Sequence, residues 1–262
     1  MNVQLLGVAV CAPGLPDWQH AMEVLGGRAA YDPSNVREPA PAALPANERR
    51  RLPVTARAAL GVGLEALQAA GVQVQDVATV FACCGSDGLI TDQICTALAR
   101  PQPEMSPTRF HNSVHNAPGG YWSIALASHA ASTSLCAYTG SFAAGLVEAI
   151  AQSRTEQRAV LLIAYDLPYP APLAAMWPVG APFSVALVLA PAGGMPAAQT
   201  IGAQLVTDEP LSPWPASVPA KLADNPAALS LPLLCALALQ VPARVVLPYH
   251  VGAHAAISVA FA

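Results

Sequence analysis

Two runs, AVLLIAYD at 159–166 and FSVALVLA at 183–190, are apolar at nearly every consecutive position. Successive residues of a strand point to opposite faces, so a run with no polar alternation must be covered on both sides. The rest of the chain supplies the cover. Residues 49–70 place Val54, Ala58, Leu60, Leu64 and Leu67 at helical spacing and stop before Gly71. Further strands are expected at 3–10, 77–83, 200–206, 244–249 and 256–261, with helices near 89–99 and 226–239. This alternation predicts an α/β layered sheet with helices on its faces. The Pro-rich stretches 31–47 and 210–219 read as surface excursions; the former's 39–45 core and the latter either bind partners as extended segments or merely connect elements.

Length and composition narrow the function classes. A chain of 262 residues with 54% hydrophobic content can build one large domain with a substantial core. Only 11% of residues are charged and the net charge is −4, so no basic stripe exists to neutralise phosphates and nucleic acid is an unsuitable partner. The mean hydropathy is high, yet no stretch reaches the length of a membrane-spanning helix; the excess points to surface covered by a partner. The opening MNVQLLGVAVCAPG has no basic region before its apolar run and reads as a first strand, not a signal peptide. Cys11, Cys83, Cys84, Cys95, Cys136 and Cys235 form no CxxC pair, which suits reduced, mostly buried thiols and a cytoplasmic setting. Gly clusters in GVGLEALQAAG and CCGSDG lack nucleotide-binding spacing. No metal or cofactor is expected.

The segment SLCAYTGSFAAGLVEA, 134–149, reads as a short strand, a sharp turn of small residues and an Ala-rich helix. Such an elbow suits a nucleophile, because the helix N-terminus stabilises a thiolate and backbone N–H groups can hold an oxyanion. Two residues compete for that place. Cys136 lies early, inside the expected strand; Thr139 lies in the turn, but a hydroxyl needs an adjacent base and none is supplied nearby.

Residues 105–145, with SPTRFHNSVHNAPGGYWSI followed by the elbow and then AVLLIAYD, resemble the N-terminal half of the β-ketoacyl synthases. NERRRLPVTARAALGVGLEALQAAG looks like the early helix of that family. The resemblance runs over about 1–207 and implies a thiolase-like layered fold, with helices packed on a mixed five-stranded sheet. Residues 208–262 would then be a shortened C-terminal extension of a single domain 1–262. In the family's register the nucleophilic position falls on Thr139, with Cys136 as the rival. The paired catalytic histidines of the family's second half have no counterpart: VVLPYHVGAHAAISVAF, holding His250 and His254, resembles only a final hairpin.

Loss of the nucleophile together with both histidines resembles the chain-length factors, the silent partners of ketosynthases, and most closely those of aryl polyene and xanthomonadin-type pigment pathways. The resemblance implies a heterodimer with a full-length β-ketoacyl synthase, an acyl carrier protein engaged indirectly, and a steric role in setting the length of a polyketide-type or fatty-acid-type chain. Thr108, Arg109 and Phe110 lie where family members cross the dimer axis and cap the acyl tunnel. Tyr121 and Trp122 line that interface or fill the core. His111 and His115, four apart, either share a helical face that could hold a metal or hydrogen-bond within a buried dimer-side helix with Asn116. The cluster Arg49, Arg50 and Arg51 is the one basic patch that could meet an acidic carrier protein. The competing expectation is a small acyltransferase or condensing enzyme using Cys136 or Thr139.

Overall fold

The computed structural model describes residues 2–38, 46–193 and 199–261, so the 39–45 loop lies outside the described residues. Among these residues eight strands run in chain order: β1 (Asn2–Cys11), β2 (Ala78–Ala82), β3 (Ser132–Leu135), β4 (Val160–Asp166), β5 (Phe183–Pro191), β6 (Gln199–Val206), β7 (Ala243–His250) and β8 (Ala253–Phe261). The helices are α1 (Trp18–Leu25), α2 (Ala46–Arg51), α3 (Val54–Ala70), α4 (Gly88–Leu98), α5 (Pro107–Asn112), α6 (Ala117–Leu126), α7 (Ser141–Glu156), α8 (Leu173–Met176) and α9 (Leu231–Leu239).

All eight strands form one mixed sheet in the order β3-β2-β4-β5-β1-β6-β8-β7. The first three are mutually parallel, and every other neighbouring pair is antiparallel. The five-strand expectation is therefore corrected to eight. The reason lies in β1, whose residues Val3–Leu5 pair on one edge with β5 and on the other with β6. That open edge lets β6 continue the sheet, and the β7–β8 hairpin extends it further. Residues 208–262 thus contribute α9 and two strands to the same sheet.

The apolar runs are explained by cover on both faces. In β4, Val160, Leu162 and Ala164 enter one core with Phe142, Leu146 and Ile150 of α7, while α1 and α9 complete that side. Leu161, Ile163 and Tyr165 enter a second core with Leu60 and Ala66 of α3 and Trp122 of α6. Each fully buried Leu or Ile contributes roughly 2 kcal/mol. The helix expected at 49–70 is split after Arg51. Pro53 has no N–H to give and holds Leu52 away from helical geometry, so α3 starts afresh at Val54. Helix α1 was not anticipated; its signal is Asp17, whose carboxylate accepts from the His20 backbone N–H at 2.8 Å.

Helix α3 crosses β1 at Gly7, beside the β-bulge between Leu5 and Gly7. A Cβ there would meet the Ala66 carbonyl oxygen and the backbone of Ala70. Gly7→Val is expected to destabilise the fold by about 2–4 kcal/mol, because both obstacles are backbone atoms that cannot rotate away. Urea unfolding followed by far-UV circular dichroism measures it; an unchanged midpoint would contradict the close crossing.

Candidate functional site

The C-terminal ends of β2, β3 and β4 converge, and around them lie three of the six thiols, Cys83, Cys84 and Cys136, with Asp87 and Asp166, the buried carboxylates among the described residues. Strand β3 stops at Leu135, so Cys136 lies just beyond the strand, not within it. Ala137 leads into a 3-10 turn, Tyr138–Gly140, and α7 begins at Ser141. One side chain organises this elbow. The Ser141 hydroxyl accepts from the Ala137 N–H at 3.0 Å and lies within donating distance of the carbonyls of Tyr138 (2.7 Å) and Cys83 (3.0 Å). Gly140 is required because its missing Cβ would occupy the place of the Tyr249 carbonyl on β7.

Neither expected nucleophile has a neighbouring base among the described residues. The Cys136 Sγ donates to the Cys84 carbonyl at 2.9 Å. Thr139 is exposed, and its hydroxyl has no hydrogen-bond partner among the described residues. The residue that dominates the elbow is Tyr138, which the small-residue reading of the turn passed over. It adopts the left-handed conformation at φ 50°, is 65% exposed, and stacks on Trp177 with ring centroids 5.2 Å apart. A non-glycine residue at such φ costs on the order of 1 kcal/mol and persists only where its surroundings dictate it. The aromatic pair covers the tip of the turn with apolar bulk.

Behind the elbow lies a second set of groups. Cys83 Sγ is 3.2 Å from His115 Nε2, a thiol–imidazole pair that spacing along the sequence did not reveal. Burial pushes the Cys83 thiol up to about 12 and lowers His115, so the pair is neutral. The thiol also approaches the Gly85 carbonyl. This is the geometry of a satisfied interior thiol, not of an ion-paired nucleophile. Burial likewise raises Cys84, Tyr165 and Tyr169, and the Cys84 Sγ lies 3.5 Å from the Tyr169 hydroxyl. Asp87 caps α4 by accepting from Ile90 N–H at 3.0 Å and receives the Thr55 hydroxyl at 2.8 Å.

The residues expected on the dimer side are sorted by α5 and α6. Thr108, Arg109 and Phe110 lie exposed on α5, with Phe110 62% exposed. His111 and His115 do not share a helical face, because α5 ends at Asn112 and α6 starts only at Ala117. His111 instead meets Tyr121 edge-on at 6.3 Å, and no group of three metal-ligating side chains forms among the described residues. Asn116 is exposed just before α6. Tyr121 and Trp122 are core residues: the Tyr121 hydroxyl donates to Asn112 Oδ1 at 2.9 Å, and Trp122 packs against the edge of Phe81. Asn112 in turn donates to the Arg51 carbonyl at 3.1 Å, tying α5 to the end of α2.

Asp166, at the end of β4, carries the strongest electrostatic consequence. Its Oδ1 accepts from the Cys84 N–H at 2.7 Å, while Oδ2 is buried without a partner among the described residues. Desolvation outweighs the Cys84 hydrogen bonds and raises the carboxyl to about 7. A folded-state value above the unfolded one means that the native protein holds the extra proton between about pH 4 and 7, so stability falls as pH rises through that window. Between about pH 5 and 8.5 this residue is expected to remove about 2–3 kcal/mol. Asp166→Asn should flatten that slope; denaturant midpoints measured across the range decide, and an equal slope in both proteins would refute a protonated Asp166.

No helix among the described residues is long and apolar enough to cross a membrane. The backbone superposes on solved structures of thiolase-like condensing-enzyme assemblies. One is the ketosynthase ApeO in complex with its chain length factor ApeC from Xenorhabdus doucetiae, at 24% identity and a TM-score of 0.71, covering 98% of this chain and 99% of the matched one. The ishigamide ketosynthase/chain length factor gives a TM-score of 0.73 at 12% identity, covering 100% and 99%. The AntDE:AntF complex, a type II polyketide synthase acyl-carrier protein with its ketosynthase bound to the hexaketide, gives 0.74 at 12% identity with the same coverage. The chain thus spans nearly the whole length of these three matched chains. No curated protein sequence matches it. Residues 23–229 match the family described as the β-ketoacyl synthase N-terminal domain, and the chain belongs to that family.

Proposed function

We propose that the chain is a non-catalytic, chain-length-factor-type partner of a full-length β-ketoacyl-(acyl carrier protein) synthase in polyketide or aryl polyene biosynthesis. The observation that carries this reading is the edge of β3, which is open among the described residues. The carbonyls of Ala131 and Leu135 accept from the β2 side. The period of two then leaves the backbone groups of Ser132 and Ser134 pointing to the unpaired side. An unpaired edge is a template for another strand. Beside it, α6 packs on β3 and presents Ile124, 59% exposed, and the neighbouring α5 region presents Phe110 and Val114. Strand edge and apolar flank together suit a permanent subunit interface.

The elbow supports the silent role. Cys136 is engaged by a carbonyl, Thr139 has no base among the described residues, and Tyr138 stacks on Trp177 at the tip of the turn. Condensation therefore belongs to the partner, and this subunit contributes shape. Arg109 and Phe110, with Thr108, close the far end of the partner's acyl tunnel. The acyl carrier protein is engaged through the synthase, and the complex is cytoplasmic. Relatives of the same chain length whose printed descriptions name ketosynthase and chain length factor together support this assignment.

Co-expression with the cognate ketosynthase, followed by size-exclusion chromatography with light scattering and a condensation assay, tests the reading. A one-to-one complex is expected, with activity retained in Cys136→Ala and Thr139→Ala. Ser134→Pro and Ile124→Asp are each expected to weaken association at least about tenfold, because one removes an edge N–H and the other places a charge in the dry interface. Loss of condensation in Cys136→Ala or Thr139→Ala, with the complex intact, would instead make this chain the condensing enzyme.

A further inference from the structure

On the α3 face a cavity of about 320 Å³ opens where the ends of β1 and β5 meet the first turn of α3. Its walls are mainly apolar, with Ala12, Val54, Ala58, Leu167 and Phe183 among them. The uncharged polar groups on its surface are already satisfied: the Ser184 hydroxyl donates to the Cys11 carbonyl at 3.2 Å, and the Cys11 thiol lies 3.5 Å from the Arg37 carbonyl. Three charged residues complete the lining among the described residues. Arg37 is neutralised by Glu65, with both terminal nitrogens on the carboxylate at 2.5 and 2.8 Å. Glu38 is exposed, so water screens its charge. Arg57 differs from both: it is half-buried and has no ion pair or side-chain hydrogen bond among the described residues.

An arginine with no counter-charge on the wall of an apolar cavity leaves its N–H donors open to an anion, which they would hold through charge-assisted hydrogen bonds. The space beyond it is large enough for an aliphatic body. At about 30 Å³ per water the cavity equals roughly ten water molecules, the bulk of a chain of about eight carbons, and it reaches the size range of small-ligand pockets. We infer that this cavity binds an amphipathic monoanion, a medium-chain aliphatic carboxylate, with its head on Arg57 and its chain between α3 and the ends of β1 and β5. The site lies within this chain's own fold, away from the open edge of β3, and does not depend on the proposed partnership.

Isothermal titration of sodium octanoate and of octanamide into the full chain, in its ketosynthase complex where one forms, tests the inference. Octanoate is expected to bind more tightly than octanamide. Arg57→Gln should weaken octanoate at least about tenfold and leave octanamide unchanged, Arg57→Lys should retain most of the affinity, and Ala58→Phe should abolish both by filling the cavity. Variants in this chain separate the site from any acyl-binding tunnel of the partner. Thermal unfolding checks that each variant is folded; if Ala58→Phe is not, the Arg57 pair decides. Equal binding of octanoate and octanamide, octanoate binding unchanged in Arg57→Gln or in folded Ala58→Phe, or no octanoate binding up to about 10 mM would overturn the inference.

Discussion

Burial of β4 on both faces is the constraint from which the rest of the structure follows. With Val160, Leu162 and Ala164 facing α7 and Leu161, Ile163 and Tyr165 facing α3 and α6, no residue of the strand's body meets water. A strand in that position cannot tolerate an uncovered face, so α3 and α7 must cross it closely. Close crossing selects small residues where backbones meet, as at Gly7, and at Gly145, where a Cβ would strike Ala82 and Leu162. The same dry interior determines the chemistry at the strand ends.

Groups leaving β2 and β4 emerge from that interior only gradually. Cys83, Cys84, Tyr165 and Asp166 are all shifted toward their uncharged forms by desolvation. A thiol held neutral beside a neutral imidazole lacks the polarisation that a nucleophile needs, even with Cys83 and His115 within hydrogen-bonding distance. Position within the fold, more than the identity of the residues, holds these groups in their uncharged forms. At the elbow the exposed tip of the turn is shaped by Tyr138, whose ring stacks on that of Trp177.

Much of the architecture was legible along the chain. The runs at 159–166 and 183–190, the helical spacing up to Gly71, and the strand–turn–helix at 134–149 each correspond to an element whose local pattern and tertiary environment agree. Misreadings arose where one residue changes the local rule. Pro53 divides a continuous helical pattern, and the gap between Asn112 and Ala117 separates two histidines that a single helix would have aligned. The site was less legible. Cys83 and His115 meet only because β2 lies beside the α5–α6 turn, and Trp177 reaches Tyr138 from a Pro-rich loop whose path no periodicity encodes.

The sequence alone determined the layered class, the family resemblance and the absence of the family's histidine motifs, because apolar periodicity and motif spacing are properties of neighbouring residues. Tertiary structure decided the eight-strand width, the open edge at β3, the neutral state of the Cys83–His115 pair and the unpaired half-burial of Arg57. Each of these depends on what distant segments exclude from water, and desolvation is a property of assembled surfaces that no single stretch of chain carries.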